Sequence, residues 1–193
     1  YKRRSFLSEE ELQRIIHLEL RYKRQRAMRD MFLFMCFTGL SYADLKAITY
    51  DNIHTDSDGG TWLMGNRIKT GVAYVVKLLP IAIDLIEKYR GADEKKDTPE
   101  CVFPVGEYNA MRLSLGIIGR KCNCRTEVTP HIGRHTFAVL AILKGMPLET
   151  LQKVLGHKSI LSTQVYAELI NPKVGEDTDR ICEKIGHVYK LAM

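Results

Sequence analysis

Two runs of β-forming residues, Thr61-Trp62-Leu63-Met64 and Ala73-Tyr74-Val75-Val76-Lys77-Leu78, stand apart in a chain whose other patterning is helical. Thr70-Gly71 between them is turn chemistry, so the pair predicts an antiparallel hairpin with Lys69 beside its turn. Residues 52–54 are the candidate third strand. The expectation is a mainly α domain carrying one small antiparallel three-stranded sheet, of the α+β class.

The helical signals fall on both sides of this hairpin. Ser8-Glu9-Glu10-Glu11 reads as a capping box, with acids in the first turn favouring the helix dipole. Leu12, Ile15, Ile16, Leu18 and Leu20 supply the apolar positions of the helix that follows, which ends in the basic cluster Arg21, Lys23, Arg24, Arg26 and Arg29. A second helix is predicted over 27–37, stopping at Thr38-Gly39, where glycine suits a C-terminal cap. A short helix at 42–47 comes next. Pro80 opens another, through 89. Residues 91–99 read as a polar loop, followed by helices at 108–121, 130–144 and 148–155, with Gly145-Met146-Pro147 as a break. An amphipathic segment over 177–189 trails beyond Pro172.

At 193 residues and 22.1 kDa the chain can bury one real core, and its 45% apolar and 27% charged residues are those of a soluble globular protein. The longest apolar run, 31–37, is far too short to span a bilayer, and no signal peptide is visible. Five cysteines at irregular spacing read as reduced thiols, so a cytoplasmic protein, in the bacterial cytosol or nucleoid, is expected. Cys122-Asn123-Cys124 has the wrong spacing for a zinc knuckle and lacks a matching second pair. The net charge of +6 and pI near 9.0 are compatible with a polyanion without demanding one. The ordinary reading of the basic cluster is a solvated helix face.

The chemistry-bearing residues lie further along. His131 and Arg134 are three apart on a predicted helix and share a face, setting an imidazole beside a guanidinium fork that suits two phosphate oxygens. The bland alternative is a structural histidine at a helix N-terminus with a surface arginine. His135 is expected to fit that alternative, its ring turned to a core or backbone partner. Leu155-Gly156-His157 puts a second imidazole just past a helix end, and Tyr166 follows nine residues later. Taken singly, Tyr166 is a packing residue and Lys69 a solvated charge. Together, one phenol, two imidazoles, one guanidinium and one ammonium are the groups needed to attack a phosphodiester without a metal.

Order, spacing and flanks agree. Lysine by a β-turn, then His-x-x-Arg opening a helix, then Leu-Gly-His, then the tyrosine, together with Thr38-Gly39-Leu40, Arg134-His135-Thr136-Phe137-Ala138 and Leu155-Gly156-His157-Lys158-Ser159, resemble the catalytic domain of the tyrosine recombinases, or phage-integrase family. The resemblance covers about residues 6–166. It implies that Tyr166 is the nucleophile, attacking DNA to leave a 3′-phosphotyrosyl bond and a free 5′-hydroxyl. It further implies His131 as proton acceptor, Arg134 and His157 as stabilisers of the transition state, and Lys69 as general acid. Neither cofactor, metal nor ATP is called for.

The implied partner is double-stranded DNA, bound as a homotetramer at synapsis by a chain that is monomeric in isolation, with accessory DNA-bending proteins and no membrane. Residues 1–7 read as an interdomain linker remnant, 8–176 as the catalytic domain and 177–193 as a C-terminal segment that either docks in trans or packs in cis. A DNA-binding N-terminal half would lie outside this sequence. Integrases of conjugative or mobilisable transposons are the expected group. A type IB topoisomerase-like strand transferase and a DNA-binding module with a degenerate site are the alternatives.

One residue departs from the family. After Thr-Gly-Leu it places an arginine, and here that position is Ser41. A serine supplies neither the charge nor the fork. Two replacements are readable: Arg29, which shares a helical face with Phe32, Leu33 and Cys36, and Arg67, on the strand face of Lys69.

Overall fold

The computed structural model describes residues 5–90 and 101–167. Its elements run α1 (Glu9–His17), α2 (Lys23–Thr38), α3 (Tyr42–Ala47), a 3-10 turn (Tyr50–Asn52), β1 (Ile53–Thr55), β2 (Thr61–Asn66), β3 (Ala73–Lys77), α4 (Pro80–Tyr89), α5 (Tyr108–Lys121), α6 (Pro130–Leu143), α7 (Leu148–Leu155) and α8 (Leu161–Ala167). The three strands form one antiparallel sheet in the order β1-β2-β3. The mainly α architecture with its small sheet is thus as expected. The polar 91–99 loop, most of the 1–7 linker and the 177–193 segment lie outside the described residues.

α2 is the central helix, packed against α1, α3, α4, α5 and α6. Met28 and every residue from Asp30 to Cys36 are buried, so it is covered on nearly all sides. The sheet adds Leu63, Tyr74 and Val76 to the same core, with Leu63 paired to Val76 across the β2–β3 ladder. Strand β3 alternates buried and exposed residues, as a half-covered strand must. A second, smaller apolar cluster joins α6, α7 and α8 through Ala138, Val139, Ile142, Leu151, Leu155 and Tyr166.

The first helical boundary differs from expectation. α1 ends at His17, and α2 opens at Lys23 instead of residue 27. The basic cluster therefore opens a helix instead of closing one. Arginines explain the break: Arg26 donates to the carbonyls of Leu20 and Arg21, and Arg29 donates to that of Leu18 at 2.6 Å. These donors satisfy carbonyls of the non-helical connection between α1 and α2. α8 was not foreseen as a helix, and it carries Tyr166. Leu7, within the expected linker, is fully buried, and its N–H donates to Thr136 Oγ1 at 3.0 Å.

Candidate active site

Helix α6 begins with Pro130 at its first turn, and this brings His131 to the surface while Arg134, one turn on, points inward. Arg134 is 5% exposed, and its guanidinium donates to the carbonyls of Gly39, at 2.6 Å, and Leu155, at 2.8 Å. Gly39 is the C-cap of α2 and Leu155 the last residue of α7, so the cation sits between the negative ends of two helix dipoles. Main-chain anchors of this kind fix the fork in place. Burial, followed by the nearby charge of Arg67, lowers its pKa to about 10, which leaves it charged at neutral pH.

Gly39 makes the first anchor possible. Its φ is +73°, and a Cβ there would stand 2.6 Å from Phe137 Cδ1 and 2.8 Å from Leu155 Cδ2. Any side chain there would strain the backbone and force Phe137 and Leu155 to shift. The Thr-Gly-Leu box is legible in these terms as a backbone requirement.

His157 follows the left-handed Gly156, which ends α7. Its Nδ1 hydrogen-bonds with Thr163 Oγ1 at 2.9 Å, while its carbonyl accepts from Gln152 Nε2 at 3.1 Å. A ring held through Nδ1 directs Nε2 away from Thr163. Thr163 lies on α8, fully buried, three residues before Tyr166. The Tyr166 ring is near parallel to that of His157, with centroids 6.4 Å apart. Its hydroxyl lies 3.1 Å from His135 Nδ1 and within hydrogen-bonding reach of Arg134. The His131 and His135 rings meet edge to face at 4.2 Å. Arg134, His157, Tyr166 and His131 are therefore gathered around the start of α6.

Two further cations lie between β2 and β3. Lys69 is exposed on the turn between β2 and β3. That turn is tied to α3, because Asp44 Oδ1 accepts from the Ile68 N–H at 2.9 Å. The same buried carboxylate forms an ion pair with Arg67 and accepts from Ser41 Oγ at 2.6 Å. Ser41 is thus the N-cap of α3, in a reciprocal capping box with Asp44. Arg67 crosses Gly156 and is charge-coupled to Arg134. Tyr74 lines this region, and burial with the Asp44 charge pushes its phenol up to about 12.

Arg29 goes elsewhere. It donates to the Leu18 carbonyl and pairs with Asp30 at 3.2 Å; Asp30 in turn accepts from Lys88 at 2.6 Å and Tyr89 at 3.0 Å. These partners belong to the α1–α2 connection and to α4. Sequence reasoning missed three contributors: His135, Asp44 and Thr163. His135 is buried, as expected, but its partner is the Tyr166 hydroxyl. The signals available were its position four residues after His131, a Ser-x-x-Asp box at Ser41, and a threonine one turn before the tyrosine.

Among the described residues no group of three or more His, Cys, Asp or Glu is placed to hold a metal ion, and no helix is long and apolar enough to cross a membrane.

Comparisons with known proteins bear on the family and the fold. The tyrosine recombinase XerA of Saccharolobus solfataricus is 28% identical over 164 residues, covering 85% of this chain and 52% of the relative. XerC of Mesorhizobium japonicum is 32% identical over 153 residues, covering 76% of this chain and 46% of the relative. The chain spans about half the length of these curated relatives. Among solved structures, XerA recombinase superposes with a TM-score of 0.72 at 20% identity, covering 93% of this chain and 66% of the other. The Tn1549 transposon integrase in complex with transposon right end DNA gives 0.60 at 16% identity, over 84% and 61%. At such identities these two matches establish the fold. The profile of the phage integrase family matches residues 5–171, and the chain belongs to that family.

Proposed function

We propose that this chain is the catalytic domain of a site-specific DNA recombinase that cleaves and rejoins strands through a 3′-phosphotyrosyl intermediate. The observation that carries this reading is the gathering of Tyr166, His157 and His131 around the start of α6, where the Arg134 guanidinium is anchored to two main-chain carbonyls. In the reaction, the Tyr166 oxygen bonds to phosphorus while the bond from phosphorus to the 5′-oxygen breaks. The phenolic proton passes to His131, and Lys69 protonates the departing 5′-oxygen, a poor leaving group otherwise. Arg134 and His157 stabilise the added charge on the non-bridging oxygens. The covalent bond conserves the phosphodiester energy, so rejoining to another 5′-hydroxyl needs neither ATP nor a cofactor.

Arg67 fills the place left by Ser41. Its support is the Asp44 bridge, which ties the Arg67 guanidinium to the residue standing where the family has its first arginine. Arg29, committed to Leu18 and Asp30, lacks such support.

The partner is double-stranded DNA, the setting is the cytoplasm, and the working form is a homotetramer at synapsis, assisted by accessory DNA-bending proteins. Residues 8–176 form the catalytic domain, and the 177–193 segment docks on a neighbouring protomer. An apolar groove of about 850 Å³ suits it, lined by Ile16, Phe37, Val75 and Leu140 with Lys77 and Lys153. The segment offers Ile181, Ile185 and Val188 for the floor and Asp177, Asp179 and Glu183 for the lysines.

A suicide half-site, nicked so that the 5′-fragment diffuses away, tests the central reading. The wild-type chain is expected to accumulate a covalent DNA adduct, and Tyr166→Phe to form none while still binding. An adduct in that variant removes Tyr166 as the nucleophile.

A further inference from the structure

Tyr166 stands out for its inaccessibility. Only 2% of it is exposed, and its ring belongs to the apolar cluster of α6, α7 and α8. An attacking oxygen must come within ~3–3.5 Å of the reacting atom. A phosphorus atom on a DNA duplex cannot approach that closely to a hydroxyl enclosed by protein. The phenol must therefore move outward before it reacts.

What it leaves behind is specific. The hydroxyl is hydrogen-bonded with Nδ1 of His135, itself 5% exposed, in a buried contact of 3.1 Å. His135 lies inside α6, whose backbone is fixed by helical hydrogen bonds and by Arg134 on the preceding position. The ring of His131 packs edge-on against it. His135 therefore cannot follow the phenol outward. By contrast α8 presents Leu161, Ser162 and Gln164 to solvent.

We infer that His135 is a positioning residue that parks Tyr166 in a buried resting place, so that cleavage begins by breaking the bond between them. This rests on Tyr166 being the nucleophile. His135 takes no proton in the chemical step on this account. Its contribution is to the resting state, and removing it favours the reactive one.

Exposure and rate can be read separately. Tetranitromethane nitrates accessible tyrosines, and trypsin yields the peptide 159–173 with Tyr166 as its sole tyrosine. The peptide 70–77 carries only Tyr74, which is 4% exposed and serves as an internal control for general loosening. In the full chain without DNA, His135→Leu is expected to speed nitration of Tyr166 but not of Tyr74. Adduct formation on the suicide half-site should rise about threefold to tenfold, the shift that one net hydrogen bond is worth. His135→Asn, whose amide stands where Nδ1 does, should restore both wild-type behaviours. Unchanged Tyr166 nitration, slower cleavage, an Asn variant that behaves like the Leu variant, or Tyr74 reacting in step with Tyr166 would each overturn the inference. Loss of the nucleophile reading would show instead as an adduct in Tyr166→Phe, leaving the nitration result standing.

Discussion

Arg67 lies across Gly156 so closely that a Cβ on the glycine would stand 2.7 Å from Arg67 Cγ and 3.1 Å from Cδ. One turn thereby serves three parts of the site. The Leu155 carbonyl anchors Arg134, Gly156 makes room for Arg67, and His157 carries the second imidazole.

Gly156→Ala should accordingly damage chemistry more than binding. Its φ of +60° disfavours a side chain, at a cost of about 1–3 kcal/mol, and the methyl group displaces Arg67 as well. The half-site cleavage rate should fall at least tenfold while the chain still folds and binds DNA. Cleavage at the wild-type rate would show that Arg67 need not rest on the glycine.

Thr163→Val keeps shape but removes the hydroxyl that holds His157 Nδ1. On the proposed mechanism, a ring free to turn spends less time with Nε2 directed at the phosphate, and partners of this kind are typically worth ~10–100-fold in the metal sites where they are best studied. A drop of about tenfold in adduct formation is expected on that scale. Thr163→Ser should recover most of it. If Val and Ser variants fall together, packing of α8 and not the hydrogen bond is responsible.

Arg29 separates stability from catalysis. Arg29→Ala removes charged hydrogen bonds to Leu18 and Asp30, each worth about 1.5–3 kcal/mol when lost, though Lys88 and Tyr89 still satisfy Asp30. Denaturant unfolding should show lower stability, with cleavage at saturating DNA nearly unchanged. A cleavage loss of a hundredfold without destabilisation would return Arg29 to the site.

Much of this architecture was legible because its signals are local. The β-runs around Thr70-Gly71, Pro80 and Pro130 at helix starts, and Gly39 and Gly156 at helix ends each act through their own backbone. Hence β2, β3, α4, α5 and α7 open where they were expected. The α1–α2 boundary was not legible, since it depends on arginine side chains reaching back to carbonyls up to 13 residues away. The site divides in the same way. The residues of the motif boxes were readable through their resemblance to a known family, whereas the Arg67–Asp44–Ser41 bridge joins a strand end to a helix cap. His135 was readable as buried, but its partner lies 31 residues on, in a helix no periodicity announced.

Removing residues 177–193 tests the groove between α1, α2, the sheet, α6 and α7. A segment that docks on a neighbour is needed for assembly and not for cutting one strand. The truncated chain should keep its adduct yield on a single half-site but lose pairing of two sites in a native gel or by light scattering. Charge reversal at Lys153 in the full chain should mimic this in part, as its carboxylate partners would then be repelled. Synapsis unaffected by either change would count against docking in trans.

The substitution at Ser41 gives the most discriminating test. If Arg67 supplies the missing fork, Arg67→Ala should cost about 10²–10³-fold in cleavage, the scale for deleting one preorganised donor. It would also leave the buried Asp44 carboxylate without its cation, so reduced stability must be separated from lost chemistry. Arg67→Lys does that: the charge on Asp44 is still balanced, but an ammonium cannot offer the planar fork. This variant should fold normally and remain slow. Ser41→Arg should then partly rescue it, since a guanidinium from either position would reach one phosphate, even though the cap of α3 is lost at about 1 kcal/mol. The two changes should be non-additive, as for residues acting on one transition state. Full activity in both Arg67 variants would mean that Arg134 works as the single arginine, and the charge balance of the site would need another donor.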